Sequence, residues 1–184
     1  MATTDIFAHG SVEDATKWLD DHPNFDINSG DENGWTPLHR ACFVGNSGVV
    51  RVLLARPDID VNQTGVDGMA AVHLVCQAGG TAVLKLLVAD SRVNVDLCAA
   101  GGHSPLGVAS FRGYVPAVMW LIASGREIYW MRTGYLEGVV FTPLEIARRH
   151  RTGVVIRSLI KRMLRNPTRS RQELRRTLGI SDAE

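Results

Sequence analysis

No stretch of the 184-residue sequence approaches the roughly 18–20 uninterrupted apolar residues that a membrane-spanning helix needs. The opening MATTDIFAHG carries acid rather than base and no apolar run, so no secretory leader is expected. Cysteine is scarce: Cys42, Cys76 and Cys98 make an odd count, and none stands in a CxxC or CxxH pair. A disulfide framework and a finger-type zinc site are therefore disfavoured, and a reducing compartment is expected, cytoplasmic with the nucleus possible. The glycines form neither GxGxxG after a strand nor GxxxxGK(S/T), which removes the usual phosphate-cradling loops. Net charge is nearly absent, at +1. What remains is a 45% hydrophobic, 21% charged chain, which excludes wholesale disorder and suits one domain or a short repeat array.

The near-zero charge hides a gradient. Residues 1–60 hold 4 Lys/Arg against 10 Asp/Glu, residues 61–147 hold 5 against 6, and residues 148–184 hold 11 against 3. The chain is acidic at its start and basic at its end.

The sequence also resembles itself. Gly34-Trp35-Thr36-Pro37-Leu38-His39-Arg40-Ala41 is followed 34 residues later by Gly68-Met69-Ala70-Ala71-Val72-His73-Leu74-Val75, and after 34 more by Gly102-His103-Ser104-Pro105-Leu106-Gly107-Val108-Ala109. A fourth copy, Phe141-Thr142-Pro143-Leu144-Glu145-Ile146-Ala147, arrives after 38. Leu19, Leu53, Leu87, Leu121 and Leu159 keep the same step, so four residues are inserted between about Gly125 and Phe141.

Local chemistry explains the unit. Thr or Ser before Pro is an N-cap followed by a proline at the first helical position, predicting helix starts at Pro37, Pro105 and Pro143. Ala70-Ala71 gives the second unit a weaker start. Gly45, Gly79 and Gly113 end these helices, and a second helix follows with a Val/Leu stripe such as Val49 to Leu54 or Val83 to Val88. A Pro/Asp/Asn-rich turn leads to the next unit. Two short helices cannot bury both stripes alone, so the units must stack.

Thr36-Pro37-Leu38-His39, the 33–34-residue unit and the turn Asp60-Val61-Asn62 resemble the ankyrin repeat family over roughly residues 5–165. The resemblance implies an all-α solenoid of helix–turn–helix pairs, with β-turn fingers projecting between them and a concave binding face. The expected division is an ankyrin-repeat domain at 1–166, with a cap at 1–32, repeats at 33–66, 67–100 and 101–138, a last unit at 139–166, and a basic helix or tail at 167–184. Gly107 and Glu145 replace the motif histidine and Arg151 replaces the glycine, marking the last unit as a cap or a specialised repeat.

Catalysis finds little support. His39 and His73 lie 34 apart, as do Cys42 and Cys76, and could be read as a Cys/His site. The resemblance instead implies that each histidine links neighbouring turns by hydrogen bonds, while each cysteine fills a small-residue packing slot. Asp20-Asp21 and Asp31-Glu32 read as solvated turn or fingertip carboxylates. No catalytic residue, metal or cofactor is expected; the expected activity is non-catalytic binding of a protein partner by a scaffold that is monomeric.

In ankyrin-type stacks the variable positions are the fingertips and the two residues after the first helix's small pair. Here these give a stripe of Trp35, Phe43, Met69, Phe111 and Phe141, edged by Gln77, His103, Arg112 and Arg149. Aromatics and Met beside Arg are the composition of interface anchors. Trp35 and Met69 are expected to be exposed, whereas Phe43 and Phe111 could equally pack between fingers. The insertion, Ile128 to Leu136, loads the last finger with Trp130 and Tyr135, which either contact the partner or fold back to seal the stack.

The arginine-rich end has rival readings. It could bind nucleic acid or an anionic membrane, yet it lacks aromatics for base stacking, and a terminal repeat must be polar to stay soluble. A partner with an acidic segment could use the same arginines. Finally, Leu54 stands eight residues before Asn62, resembling the turn hydroxylated on Asn by cytosolic asparaginyl hydroxylases in ankyrin proteins; an Asn bonded to its own turn accounts for the same residue.

Overall fold

The computed structural model describes residues 3–126, 128–129, 134–136, 139–149 and 152–180. Within them the chain forms helix pairs in sequence order: α1 (Thr3–His9) with α2 (Val12–Asp21), α3 (Pro37–Val44) with α4 (Ser47–Leu54), and α5 (Ala71–Ala78) with α6 (Thr81–Ala89). There follow α7 (Pro105–Arg112) with α8 (Val115–Ala123), α9 (Pro143–Ile146) with α10 (Gly153–Arg165), and a terminal α11 (Pro167–Leu178). Odd-numbered helices α1 to α9 stack on one another as an inner row, and α2 to α10 as an outer row. The last helix, α11, folds back against α8 and α10.

The starts follow their caps. The Thr36, Ser104 and Thr142 side chains accept the backbone N–H of His39, Gly107 and Glu145, and a proline holds the first turn of each helix. The first unit lacks the motif yet forms a full pair, its second helix capped by a reciprocal Ser11–Asp14 box. Phe7, Trp18 and Phe25 close that end, Trp18 meeting the two phenyl rings edge-on at 5.4 and 4.8 Å. The inner helices α3, α5 and α7 end on Gly45, Gly79 and Gly113, whose φ values of 86°, 77° and 73° are left-handed.

The core is the sum of the stripes: Val49, Val50 and Leu53 on α4, Val83, Leu84 and Leu87 on α6, Val118, Leu121 and Ile122 on α8, and Ile156, Ile160 and Met163 on α10. Each buried side chain of this size stabilises by about 1.5–3 kcal/mol relative to exposure, and most bury it only against the neighbouring unit.

Polar links set the spacing between units. The His39 Nδ1 accepts the Thr36 N–H at 3.1 Å, leaving Nε2–H to donate to the Met69 carbonyl of the next finger, also 3.1 Å away. His73 repeats the arrangement, accepting the Ala70 N–H and donating to the His103 carbonyl. Backbone bonds between fingers recur at the same step, Val66 N–H to Asn33 O and Ala100 N–H to Asp67 O, both 3.0 Å.

The four-residue insertion makes a departure from an otherwise helical fold. β1 (Gly134–Leu136) and β2 (Val139–Phe141) pair antiparallel, with Tyr135 opposite Val140. Gly134 lies so close over the His103 ring that an added Cβ would sit 2.4 Å from Nδ1. The last unit is also irregular: α9 has 4 residues and runs into a tight turn at Ala147–Arg149, whereas α10 has 13.

Candidate functional site

The inner helices and the fingers line an open recess of about 340 Å³. It brings together Met69 from the second finger, Gln77 from α5, His103 from the third finger, and Phe111 and Arg112 from α7. Five of the sequence-predicted residues thus share one site. Ala99, Ala100, Val108 and Ile146 make its floor largely apolar, while Asp67 and Arg112, both exposed, place opposite charges on its edge. The fingers hold the shape: the Asp67 carboxylate accepts the Met69 N–H at 2.9 Å, and the His103 carbonyl takes bonds from both His73 and Ala99.

Trp35 and Phe43 lie one unit towards the N-terminus and make a separate cluster. Their rings are 5.2 Å apart, and the Arg40 guanidinium sits 5.0 Å over the indole. Trp35 and Met69, expected in the open, are half-buried: the first is covered by Arg40, the second lies against the recess wall. Phe43 is 46% exposed and presents its ring to solvent. Phe141 ends β2 half-buried. Trp130 lies outside the described residues, as do the side chains of Tyr135 and Arg149, whereas Tyr129 of the same finger is exposed.

Asp31 departs from the solvated fingertip expected of it. Its side chain is only 15% exposed, it pairs with Arg40, and it accepts the Asn33 and Trp35 N–H groups at 2.9 and 3.0 Å. Burial raises its pKa, but the Arg40 and backbone bonds outweigh that and hold the carboxyl below its ordinary range. Glu32, Asp20 and Asp21 are exposed. Arg40, Val108 and Ile146 were missed by sequence reasoning; all three stand three residues after a helix-opening proline, a helical spacing from the fingertip that points the same way.

The histidine and cysteine pairs offer no chemistry. Both nitrogens of His39 and of His73 are engaged in the inter-unit links, and burial pushes both rings below the ordinary histidine pKa. Cys42 and Cys76 are wholly buried; burial raises both thiols, that of Cys76 to about 12, far from a reactive thiolate. No group of three or more His, Cys, Asp or Glu able to hold a metal occurs among the described residues.

Asn62 does not bond its own turn through its side chain. Its amide donates to Arg92 O at 2.8 Å and accepts the Asn94 N–H at 2.6 Å, clasping the next unit's turn, as Asn28 clasps Asp58 and Asp60. The basic tail is likewise not loose: Leu174 is buried, and Arg171 and Arg175 donate to the Arg126 and Ala123 carbonyls at the end of α8.

A family model of ankyrin repeats, three copies long, matches residues 4–65. Over these residues the chain carries ankyrin repeats. Curated relatives described as "Scaffold protein ILK", from Homo sapiens, Mus musculus and Cavia porcellus, are each 44% identical over 55 residues. The match covers 28% of this ankyrin chain and 12% of each relative's length, so the chain corresponds to a small part of those proteins. Ankyrin repeats together with a scaffold-protein relative support a protein-interaction role. No described helix of the stack is long and apolar enough to cross a membrane.

Proposed function

We propose that this ankyrin stack is a non-catalytic, monomeric binding module of a reducing compartment, whose protein partner seats on the concave face. The observation that carries the proposal is the recess itself. Its volume of about 340 Å³ accommodates one or two large side chains, and it is apolar at the floor with Asp67 and Arg112 at the edge. An aliphatic or aromatic anchor from the partner would bury itself against Met69 and Phe111, with an acidic neighbour reaching Arg112. The Trp35–Phe43 cluster extends the same face by one unit, and Gln77 and His103 supply polar contacts. The domain division at 1–166 and 167–184 belongs to this proposal, with α11 as a cap on the outer row rather than part of the binding face.

The test compares the proteins retained from host extract by the wild-type chain and by Phe111→Ala/Arg112→Glu, quantified by mass spectrometry. Neither side chain is buried, so the variant is expected to keep the stack, which circular dichroism checks. A specific set lost by the variant supports the concave face; an identical retained set overturns it.

A further inference from the structure

We infer that the solvent face of α10 docks on an anionic membrane surface, with the helix lying flat among phospholipid headgroups. The outer helices α2, α4, α6 and α8 have 10, 8, 9 and 9 residues, and of these only α2 exposes a large apolar side chain, Val12 at 40%. α10 has 13, about 6 Å more than the neighbouring α8 at the usual helical rise, and it exposes three. While Ile156, Ile160 and Met163 are buried in the stack, Val154, Val155 and Leu164 stand 66%, 50% and 47% open; Val154 and Leu164 share the arc of Arg157, Lys161 and Arg165, and Val155 lies on the opposite flank from Leu164.

Cations surround those aliphatics. Arg157, Lys161, Arg162 and Arg165 all lie on α10, and the helix contains no acidic residue. Glu173 on α11 is the acid at hand, and it pairs with Arg162 at 3.4 Å and Arg169 at 3.0 Å. Lys161 and Arg165 make no ion pair among the described residues. Val154 and Leu164 beside Arg157, Lys161 and Arg165 on one helix face suit the boundary between acyl chains and anionic headgroups.

Shape separates a membrane from the other anionic partners. The depression on this face is about 460 Å³, and the described residues that line it all belong to α10. A peptide groove needs a second wall, and the described residues supply none; a flat bilayer surface does not. A phosphodiester backbone would satisfy the cations but give the exposed valines and leucine nothing, and α10 carries no aromatic side chain on which a base could stack. Because α10 belongs to the outer row, a stack lying on it keeps the concave recess open to a protein partner.

The test is co-sedimentation with vesicles of phosphatidylcholine alone or with about 30 mol % phosphatidylserine, in salt from about 0.05 to 0.3 M. The wild-type chain is expected to pellet with the anionic vesicles only, with binding falling at least about tenfold across that salt range. Lys161→Glu/Arg165→Glu abolishes pelleting, and Val154→Ser/Leu164→Ser weakens it several-fold; all four positions are exposed, and circular dichroism checks that helicity is kept. Should the charge reversal lose helicity, Lys161→Gln/Arg165→Gln replaces it, with a partial loss expected. Phe111→Ala/Arg112→Glu must leave pelleting unchanged. Equal binding to neutral vesicles, binding that survives the charge reversal, or no binding to anionic vesicles overturns the inference. So does tight binding to duplex DNA, indifferent to Val154→Ser/Leu164→Ser, by a chain that leaves vesicles in solution.

Discussion

Replacing His73 with Ala tests what holds one repeat to the next. The ring is wholly buried, so three losses combine. The Ala70 N–H, itself buried, is left without its acceptor, which costs about 1–3 kcal/mol. The bond to the His103 carbonyl is lost at about 1 kcal/mol, although Ala99 N–H still serves that oxygen. The vacated ring volume adds about 1 kcal/mol more. A total of about 3–5 kcal/mol is expected in urea unfolding followed by circular dichroism, with a similar loss for His39→Ala. The same rings set a pH dependence. Burial places their folded-state pKa below the unfolded value of about 6.5, and the bonds to the Met69 and His103 carbonyls, with the nearby Asp67, offset only part of that shift. The unfolded chain therefore takes up protons first as pH falls. Stability should be full above about pH 6.5 and should decline as the pH drops through the window below it. Protonation would also put a hydrogen on Nδ1, facing the very N–H that Nδ1 accepts. A wild type equally stable at about pH 8 and pH 5.5, or a His39→Ala/His73→Ala chain that keeps the wild-type slope, would refute the reasoning.

Asn62→Ala removes both arms of the clasp on Arg92 and Asn94 and should cost about 1–3 kcal/mol, close to the effect of Asn28→Ala; a loss below a few tenths would show that water replaces the clasp. Leu174→Ala empties a buried site under α11 and should cost about 2–5 kcal/mol locally, read as faster amide exchange across Pro167–Leu178; unchanged exchange would mean that the arginine bonds alone hold the helix. Gly134→Ala forces a methyl onto the His103 ring and should shift the His103 imidazole resonances with a cost of about 1–3 kcal/mol; unmoved resonances would contradict the close approach.

What could be read from the sequence was local chemistry repeated in register. Thr36-Pro37, Ser104-Pro105 and Thr142-Pro143 carry their caps within four residues, so the helix starts were visible before any tertiary contact. Ala70 has no side chain to cap with, yet α5 begins there because the His73 ring accepts its N–H and units press from both sides. The misread positions depend on partners far along the chain or across a turn. Asp31 looked solvated because Arg40, nine residues on, returns over Trp35 to meet it. The insertion was legible as four extra residues, but its pairing as a hairpin seated on His103 depends on a glycine-sized gap that no periodicity reports. The recess was half legible: the fingertip positions point to Met69 and His103, and those after the first helix's small pair to Gln77, Phe111 and Arg112, whereas Val108 and Ile146 enter from helix positions that face it only after stacking. Asn62 was assigned to its own turn because its real partners, Arg92 and Asn94, lie about thirty residues away.

The central claim is that partners meet the concave recess, and site-specific photo-crosslinking in the native host addresses it most directly. A benzophenone side chain at Gln77, on the recess wall, is compared with one at Arg51, exposed on the outer helix α4. The account predicts discrete crosslinked proteins from Gln77 that are absent from Arg51 and lost when Phe111→Ala is added. Crosslinks of the same pattern from both positions, or from Arg51 alone, would contradict it.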